Sequence, residues 1–232
     1  MMTVLTLTYK RRALLEEAIY SFLLQGNPDS EMLVINDCPD VWYDFYHPRV
    51  RIYNLSERFS SLGKKLEYGF SECRYPYIYR LDDDDLLAPN ALHRVAQVIA
   101  EHPGFDIYRH TQSYFFDNCV YKNLSSPNVN AGNVYSADFV RRIPFPDRNF
   151  AEDEIITFRS GGSVYEMGGA PTMCYRWGMG CYHVSSLGDV PLDVSYEFAD
   201  AMGDPDVGYV KLFPQFRQDY WKMLPTPEEN TP

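Results

Sequence analysis

The chain has 232 residues, a net charge of -11 and 45% hydrophobic residues. This length suits one large domain, and the apolar content can fill a substantial core, so the composition argues against disorder of the whole chain. The acidic balance argues against tight, nonspecific binding to nucleic acid, which requires Lys and Arg to replace counterions, although it leaves room for a local basic groove. The five cysteines are scattered and form no Cys-x-x-Cys pair, which favours a reduced protein over a disulfide scaffold or a zinc site. With neither a transmembrane segment nor a signal peptide in the sequence, we expect a cytoplasmic protein.

Strand and helix signals alternate through the first half of the chain. The strand signals lie at 3–8, 32–35, 50–53 and 77–81, and the helical signals lie at 12–25, 63–73 and 89–102. This alternation predicts an α/β fold with a Rossmann-like, mostly parallel sheet and helices on both faces. Pro89 is expected in the first turn of the third helix, because proline is tolerated there.

The second half of the chain is less regular. Residues 105–109 predict another strand, 114–121 a hairpin around Asp117 and Asn118, and 152–159 a short helix. We therefore expect a smaller antiparallel region here. The segment from Gly188 mixes Pro, Asp and aromatic residues, and its last eight residues are expected to fray.

Polar side chains follow three of the predicted strands, at Thr8-Tyr9-Lys10, at Asn36-Asp37 and at Asp82 to Asp85. In parallel sheets, ligands bind outside the carboxyl ends of the strands. Four consecutive Asp residues repel one another unless a cation or hydrogen-bond donors compensate, and hard divalent cations prefer oxygen ligands. The alternative is a solvated acidic turn that caps the helix after Pro89.

Four segments in this order resemble the motifs of the family 2 glycosyltransferases. They are Thr6 to Arg11, Glu31 to Asp40, Arg80 to Pro89 with its Asp-x-Asp run, and Phe150 to Glu154. The resemblance covers roughly residues 3 to 185 and implies a single GT-A domain. Asn36 stands where the family usually has Asp.

The resemblance implies that the chain binds a nucleotide-diphosphate sugar, with a UDP-sugar the expected donor. Asp37 corresponds to the family's uracil-contacting Asp. The residues implied to hold the donor are Thr8, Tyr9, Lys10, Asp37, Lys64, Lys65, Asp82 and Asp83. For Lys64 and Lys65, a solvated helix face is the open alternative to contact with the diphosphate.

The resemblance also implies a Mn²⁺ or Mg²⁺ cofactor. Asp84 aligns with the family's direct metal ligand, and Asp82 and His183 are the further candidate ligands. A purely structural or exposed histidine is the alternative for His183. Asp85 is expected to cap the helix that follows.

Asp153 is implied to be the catalytic base, with Glu152 beside it. A base here would take a proton from the acceptor hydroxyl while that oxygen attacks the anomeric carbon, and direct displacement implies inversion. The alternative is that residues 152–154 form an acidic first helical turn, which the helix dipole favours.

The resemblance divides the domain into a nucleotide-sugar-binding half (1–110), an acceptor and catalytic half (111–190) and a C-terminal extension (191–232). The leading hypothesis is an inverting, metal-dependent glycosyltransferase. Its competitors are an inactive nucleotide-sugar-binding protein and a nucleotidyltransferase, although the expected Gly-rich basic loop of the latter is missing after Thr8. The acceptor stays open among a glycan, a lipid-linked glycan and a modified nucleic acid. The aromatic C-terminal segment could cover the acceptor cleft, form a homodimer or pack on the core.

Overall fold

A computed structural model describes residues 1–118, 120–124, 131–154, 156–157, 160–178, 181, 183, 187–188 and 190–225. Its central sheet has seven strands in the spatial order β11-β7-β10-β5-β1-β2-β4. These strands are β1 (Met2–Thr8), β2 (Ser30–Asn36), β4 (Val50–Asn54), β5 (Tyr77–Arg80), β7 (Ile107–His110), β10 (Val134–Ser136) and β11 (Val164–Met167). All pair in parallel except β10, which lies antiparallel between β5 and β7. The predicted mostly parallel sheet is confirmed.

Helices cover both faces of this sheet, also as predicted. They are α1 (Arg12–Leu23), α2 (Leu62–Ser71), α3 (Ala91–Glu101), α4 (Ala137–Val140), α5 (Glu152–Glu154) and α6 (Leu192–Met202). Successive strand residues point to opposite faces. Accordingly, Val34 packs in the core beneath α1 and α3, whereas its neighbour Ile35 packs in the core beneath α2 and α4.

A second sheet of four strands has the order β6-β12-β8-β9. Its strands are β6 (Leu86–Leu87), β8 (Ser113–Asp117), β9 (Val120–Leu124) and β12 (Met173–Trp177). The predicted hairpin is confirmed in the antiparallel pair β8 and β9. The sheet is nevertheless mixed, because β12 runs parallel to β8.

The C-terminal segment has more regular structure than its composition suggested. Besides α6, it contains β13 (Gly208–Lys211), which pairs in parallel with β3 (Val41–Asp44), and a 3₁₀ turn at Tyr220–Met223. The expected frayed end, apart from Pro225, lies outside the described residues. None of the helices among the described residues has both the length and the apolar composition of a membrane span.

Pro89 is not in the first turn of α3, so that prediction is wrong. The helix begins at Ala91, and Asn90 precedes it in a left-handed conformation with φ of 60°. The reason lies just upstream, where Leu87 pairs with Met173 and the Ala88 backbone N–H donates to the Thr172 carbonyl at 3.0 Å. These bonds hold residues 86–88 in extended structure, so the helix starts later.

Candidate active site

The carboxyl ends of three parallel strands meet at one edge of the central sheet, where β1 ends at Thr8, β2 at Asn36 and β5 at Arg80. An open cleft of about 220 Å³ lies over this edge. This is the expected place for a ligand in a sheet of this kind. The residues that line it are Leu7, Thr8, Tyr9, Arg11, Asp37, Arg58, Ser61, Leu62, Lys65, Arg80, Asp82, Asp83, Asp84, Asn149, Ala151, Glu152, His183, Ser195, Tyr196 and Ala199.

The cleft brings together nine of the residues that the sequence singled out. They are Thr8, Tyr9, Asp37, Lys65, Asp82, Asp83, Asp84, Glu152 and His183. Segments separated by more than 170 positions therefore converge on one space. The side chain of Asp153 lies outside the described part of the structure, although its backbone belongs to α5.

Two predicted donor residues, Lys64 and Lys10, do not line the cleft. The Lys64 ammonium donates to Glu67 at 2.8 Å, because consecutive helical residues point about 100° apart and only Lys65 faces the sheet edge. Lys10 has a φ of 52°, and its ammonium lies 3.8 Å from Asp40 and 3.7 Å from Asp200. The structure places both lysines in ion pairs beside the cleft rather than within it.

Lys65 ties together the ends of β1 and β2. Its buried ammonium donates to Asp37 Oδ1 at 2.5 Å and to the Thr8 carbonyl at 2.7 Å. The other carboxylate oxygen of Asp37 accepts the backbone N–H of Phe59 at 3.2 Å. Asp37 is thus fixed in place by two donors, and the solvated-face alternative does not hold for Lys65.

The acidic turn, Asp82 to Asp85, also lines the cleft through its first three residues. The Asp85 backbone N–H donates to the Asp82 carbonyl at 3.1 Å, which closes the turn. Carboxylate oxygens of Asp82, Asp84 and Asp85 lie within 4.8 Å of one another, and Asp85 Oδ2 has no hydrogen-bond partner among the described residues. Oxygens of this kind fit a hard divalent cation.

Two guanidinium groups pair with the carboxylates at the front of this turn, the side that lines the cleft. Arg11 donates to Asp84 at 2.7 Å and to Asp83 at 3.1 Å, and Arg80 lies 3.1 Å from Asp82. Burial raises the pKa of the Asp83 carboxyl to about 6, although Arg11 opposes the shift. Both arginines lie inside the quoted sequence motifs, and this position in the motifs was the signal that could have identified them.

A third guanidinium, that of Arg176, is fully buried and contacts the turn from behind, the side that does not line the cleft. Its backbone N–H donates to Asp85 Oδ1 at 2.9 Å, and its side chain donates to the Asp84 carbonyl and to Glu17. Tyr220 completes this group, with its hydroxyl 3.2 Å from both oxygens of Glu17. Nothing in the local sequence indicated this pairing of residues 159 positions apart.

Asp85 does not cap α3, so that prediction is wrong. It is fully buried, and burial raises the pKa of its carboxyl well above the usual range. The N-cap position of α3 belongs to Asn90. Between them the chain forms β6, which carries the helix start away from the acidic turn.

Helix α6 forms a wall of the cleft that the sequence reading missed. Ser195, Tyr196 and Ala199 line the cleft, and Ser195 accepts a hydrogen bond from the Asn149 amide at 2.7 Å. The spacing of Leu192, Tyr196 and Ala199 is helical and follows Pro191, which was the available signal.

Arg58 lies between two aromatic rings at this wall. Its guanidinium carbon is 3.7 Å from the centroid of the Tyr9 ring and 3.7 Å from that of Tyr196. It also donates to Asp200 at 3.3 Å, and Asp200 accepts the Tyr9 hydroxyl. Burial, with further help from Asp200, raises the pKa of Tyr9.

Glu152 enters the cleft from the start of α5. It is 5% exposed and lies 3.8 Å from the guanidinium of Arg80. The preceding residue, Ala151, has a left-handed φ of 54°. A side chain makes this conformation costly, and such strain clusters at functional sites. The turn at Ala151 directs the start of α5, and with it Glu152, into the cleft.

His183 stacks on an aromatic pair next to the acidic turn. Its ring centroid lies 4.2 Å from that of Trp177, nearly parallel, and 5.9 Å from that of Tyr175. Its Nδ1 atom is 3.9 Å from Asp84 Oδ2. Burial lowers the pKa of His183, which favours the neutral ring that a metal ligand requires.

The sequence model described as "Glycosyl transferase family 2" matches residues 3–165. The sequence is also similar to the uncharacterized protein y4gI of Sinorhizobium fredii, with 36% identity over 103 residues. That alignment covers 41% of this chain and 11% of the relative.

Among solved structures, the fold is similar to that of S. aureus TarS. The TM-score is 0.61 at 16% identity, over 76% of this chain and 36% of TarS. For TarS residues 1–349 in complex with UDP-GlcNAc, the TM-score is 0.66 at 15% identity, over 87% of this chain and 66% of that chain. The chain therefore spans only part of the proteins that it matches, and at these identities the likeness shows the fold.

Proposed function

Because this chain belongs to glycosyl transferase family 2, we propose that it is an inverting, metal-dependent glycosyltransferase that uses a nucleotide-diphosphate sugar. The observation that carries the proposal is the cleft itself. It is lined by Asp37, by the carboxylates of the acidic turn and by Glu152. One ligand can therefore contact all three regions.

The donor is proposed to lie along the cleft with its base near Tyr9 and Asp37. We favour a UDP-sugar, supported by the similar fold of the TarS fragment in complex with UDP-GlcNAc. Lys65 contributes by holding Asp37, rather than by reaching for the diphosphate, because its ammonium donates to the Thr8 carbonyl and to Asp37 at the ends of β1 and β2.

Asp82 and Asp84 are proposed to hold a Mn²⁺ or Mg²⁺ ion, with Asp85 or His183 as a further ligand. The close carboxylate oxygens of the turn support this assignment. The ion would neutralise the diphosphate and assist its departure.

Transfer is proposed to proceed by a single displacement. The acceptor hydroxyl oxygen bonds to the anomeric carbon, the bond from that carbon to the diphosphate oxygen breaks, and the nucleoside diphosphate leaves with the electron pair. Asp153 takes the acceptor proton. Glu152, held near Arg80, orients the acceptor or the donor sugar. One displacement inverts the configuration at the anomeric carbon.

The acceptor is proposed to be a hydroxyl group of a glycan, a lipid-linked glycan or a modified nucleic acid. A cytoplasmic location is supported by Cys38, Cys73, Cys174 and Cys181, whose thiols are all free.

The proposal is tested by following nucleoside diphosphate release from a panel of UDP-sugars with Mn²⁺. EDTA should abolish release, and Mn²⁺ in excess should restore it. Asp153→Asn should lower turnover by about 100-fold or more, since a general base contributes on that scale, while UDP affinity stays unchanged.

Asp138→Asn is the matched control, because the Asp138 side chain is 91% exposed on α4. Full turnover in Asp153→Asn would refute the assignment of the base. Binding of UDP without transfer or hydrolysis of any donor would favour the inactive binding protein, and release of pyrophosphate would favour the nucleotidyltransferase.

A further inference from the structure

We propose that Tyr9 and Tyr196 form the two walls of a slot for the donor nucleobase, and that Arg58 fills this slot until the donor binds. The inference rests on the proposed nucleotide-sugar donor and adds a specificity residue, Tyr196, from outside the family match, which covers residues 3–165.

The geometry of the stack supports a slot of the right width. The guanidinium carbon of Arg58 lies over both rings, 3.7 Å from each centroid, which is one stacking distance from each ring. A guanidinium is planar and stacks on aromatic faces, as a nucleobase does. The gap that now holds one flat cation can therefore hold one flat base.

The slot is adjacent to the residue assigned to the base edge. The Tyr196 hydroxyl donates to the Phe59 carbonyl, and the Phe59 backbone N–H donates to Asp37 Oδ2 at 3.2 Å. One residue thus connects the α6 wall to Asp37. A base between the rings would have its hydrogen-bonding edge near that carboxylate.

Arg58 is held in a way that allows it to leave. Its guanidinium donates to Asp200 at 3.3 Å, and the Asp200 side chain is 47% exposed. Ion pairs with so exposed a partner contribute little. The guanidinium is therefore held mainly by its contacts with the two rings, which a base entering the slot would replace with its own stacking. The two rings, by contrast, are anchored through their hydroxyls to Asp200 and to the Phe59 carbonyl.

The test compares UDP with inorganic pyrophosphate, each with Mn²⁺, by isothermal titration calorimetry. Tyr196→Leu should weaken UDP binding by about tenfold or more, the scale of one base–aromatic stack, and should leave pyrophosphate binding unchanged. Tyr196→Phe keeps the ring and should retain most of the UDP affinity. Tyr209→Leu is the matched control, because Tyr209 is 83% exposed and does not line the cleft.

Arg58→Ala distinguishes a displaced side chain from a permanent one. If Arg58 competes with the base, its removal should leave the UDP affinity unchanged or raise it several-fold. A loss of affinity for UDP would overturn the displacement and show that the guanidinium stays in contact with the donor.

The remaining outcomes separate this inference from the proposed function. UDP binding that Tyr196→Leu does not weaken, or a parallel loss of UDP and pyrophosphate binding in that variant, overturns the slot alone. Failure of the unaltered chain to bind UDP overturns the slot and the proposed donor together.

Discussion

The acidic turn has two sides with opposite electrostatic designs. Behind it, Arg176 and Glu17 form a fully enclosed pair whose donors and acceptors meet Asp84, Asp85 and Tyr220. In front of it, two guanidinium groups face four carboxylates in an open cleft. The groups in front are Arg11, Arg80, Asp82, Asp83, Asp84 and Glu152.

The difference shows how one turn serves both stability and binding. The back is closed, and the hydrogen bonds of Arg176 fix the backbone of the turn there. In front, the four carboxylates outnumber the two guanidinium groups that pair with them, and a divalent cation stabilises such a group of like charges.

The largest effect should follow from breaking the Arg176–Glu17 ion pair behind the turn. Arg176→Met leaves Glu17 buried without its cation, and we expect a loss of about 3–5 kcal/mol in the free energy of unfolding, measured by urea denaturation. Replacing both partners, as Arg176→Met with Glu17→Leu, should recover much of that loss. Arg142→Met removes a 69% exposed arginine from a surface pair and should change stability by less than about 1 kcal/mol. Equal losses in Arg176→Met and Arg142→Met would show that the enclosed pair is not special.

A change to the carboxylates in front of the turn should have the opposite result, with a loss of transfer rather than of stability. Asp84→Asn should lower transfer with Mn²⁺ by about 100-fold, on the scale of other lost electrostatic contacts in active sites. Its unfolding free energy without metal should change little, because the removal of a like charge offsets the weakened contact with Arg11. Mn²⁺ should raise the melting temperature of the unaltered chain and not that of the variant. Unchanged transfer would show that Asp84 is not a metal ligand. Lost stability without metal would show that Arg11 already balances the Asp84 carboxylate.

The smallest effect should come from Ala151. Ala151→Gly relieves the left-handed strain, so we expect stability to rise by about 1 kcal/mol while turnover falls several-fold, because the entry into α5 loosens. Ala137→Gly is the matched control, since the same change at the first residue of α4 should lower stability slightly. A less stable Ala151→Gly chain would show that no strain is stored there.

The sequence predicts the central sheet well because its signals are local. Buried runs such as Met32–Ile35 and the periodic residues of α1 encode their own structure, and parallel strands place Thr8, Asp37 and the acidic turn at one edge without further information. The same reasoning could not assign Asp85, whose role depends on Arg176, a residue 91 positions away.

The other site residues whose roles the sequence did not predict were missed for the same physical reason. Lys64 and Lys65 are adjacent and chemically identical, and only the packing of α2 decides that Lys65 enters the site. Tyr196 and Arg58 meet across 138 positions, so neither segment alone indicates their contact. The contribution of α6 was missed because a short helix among Pro and Asp residues has a faint periodic signal.

The enclosed group behind the acidic turn also constrains the order of events during synthesis. Glu17 receives bonds from Arg176, 159 positions later, and from Tyr220, 203 positions later. Contacts of such separation form late, and a chain emerging from the ribosome exposes its N-terminal part first. The β1–α1–β2 region can therefore begin to fold before Glu17 meets its partners, and the enclosed group behind the acidic turn should be complete only after residue 220 has left the exit tunnel.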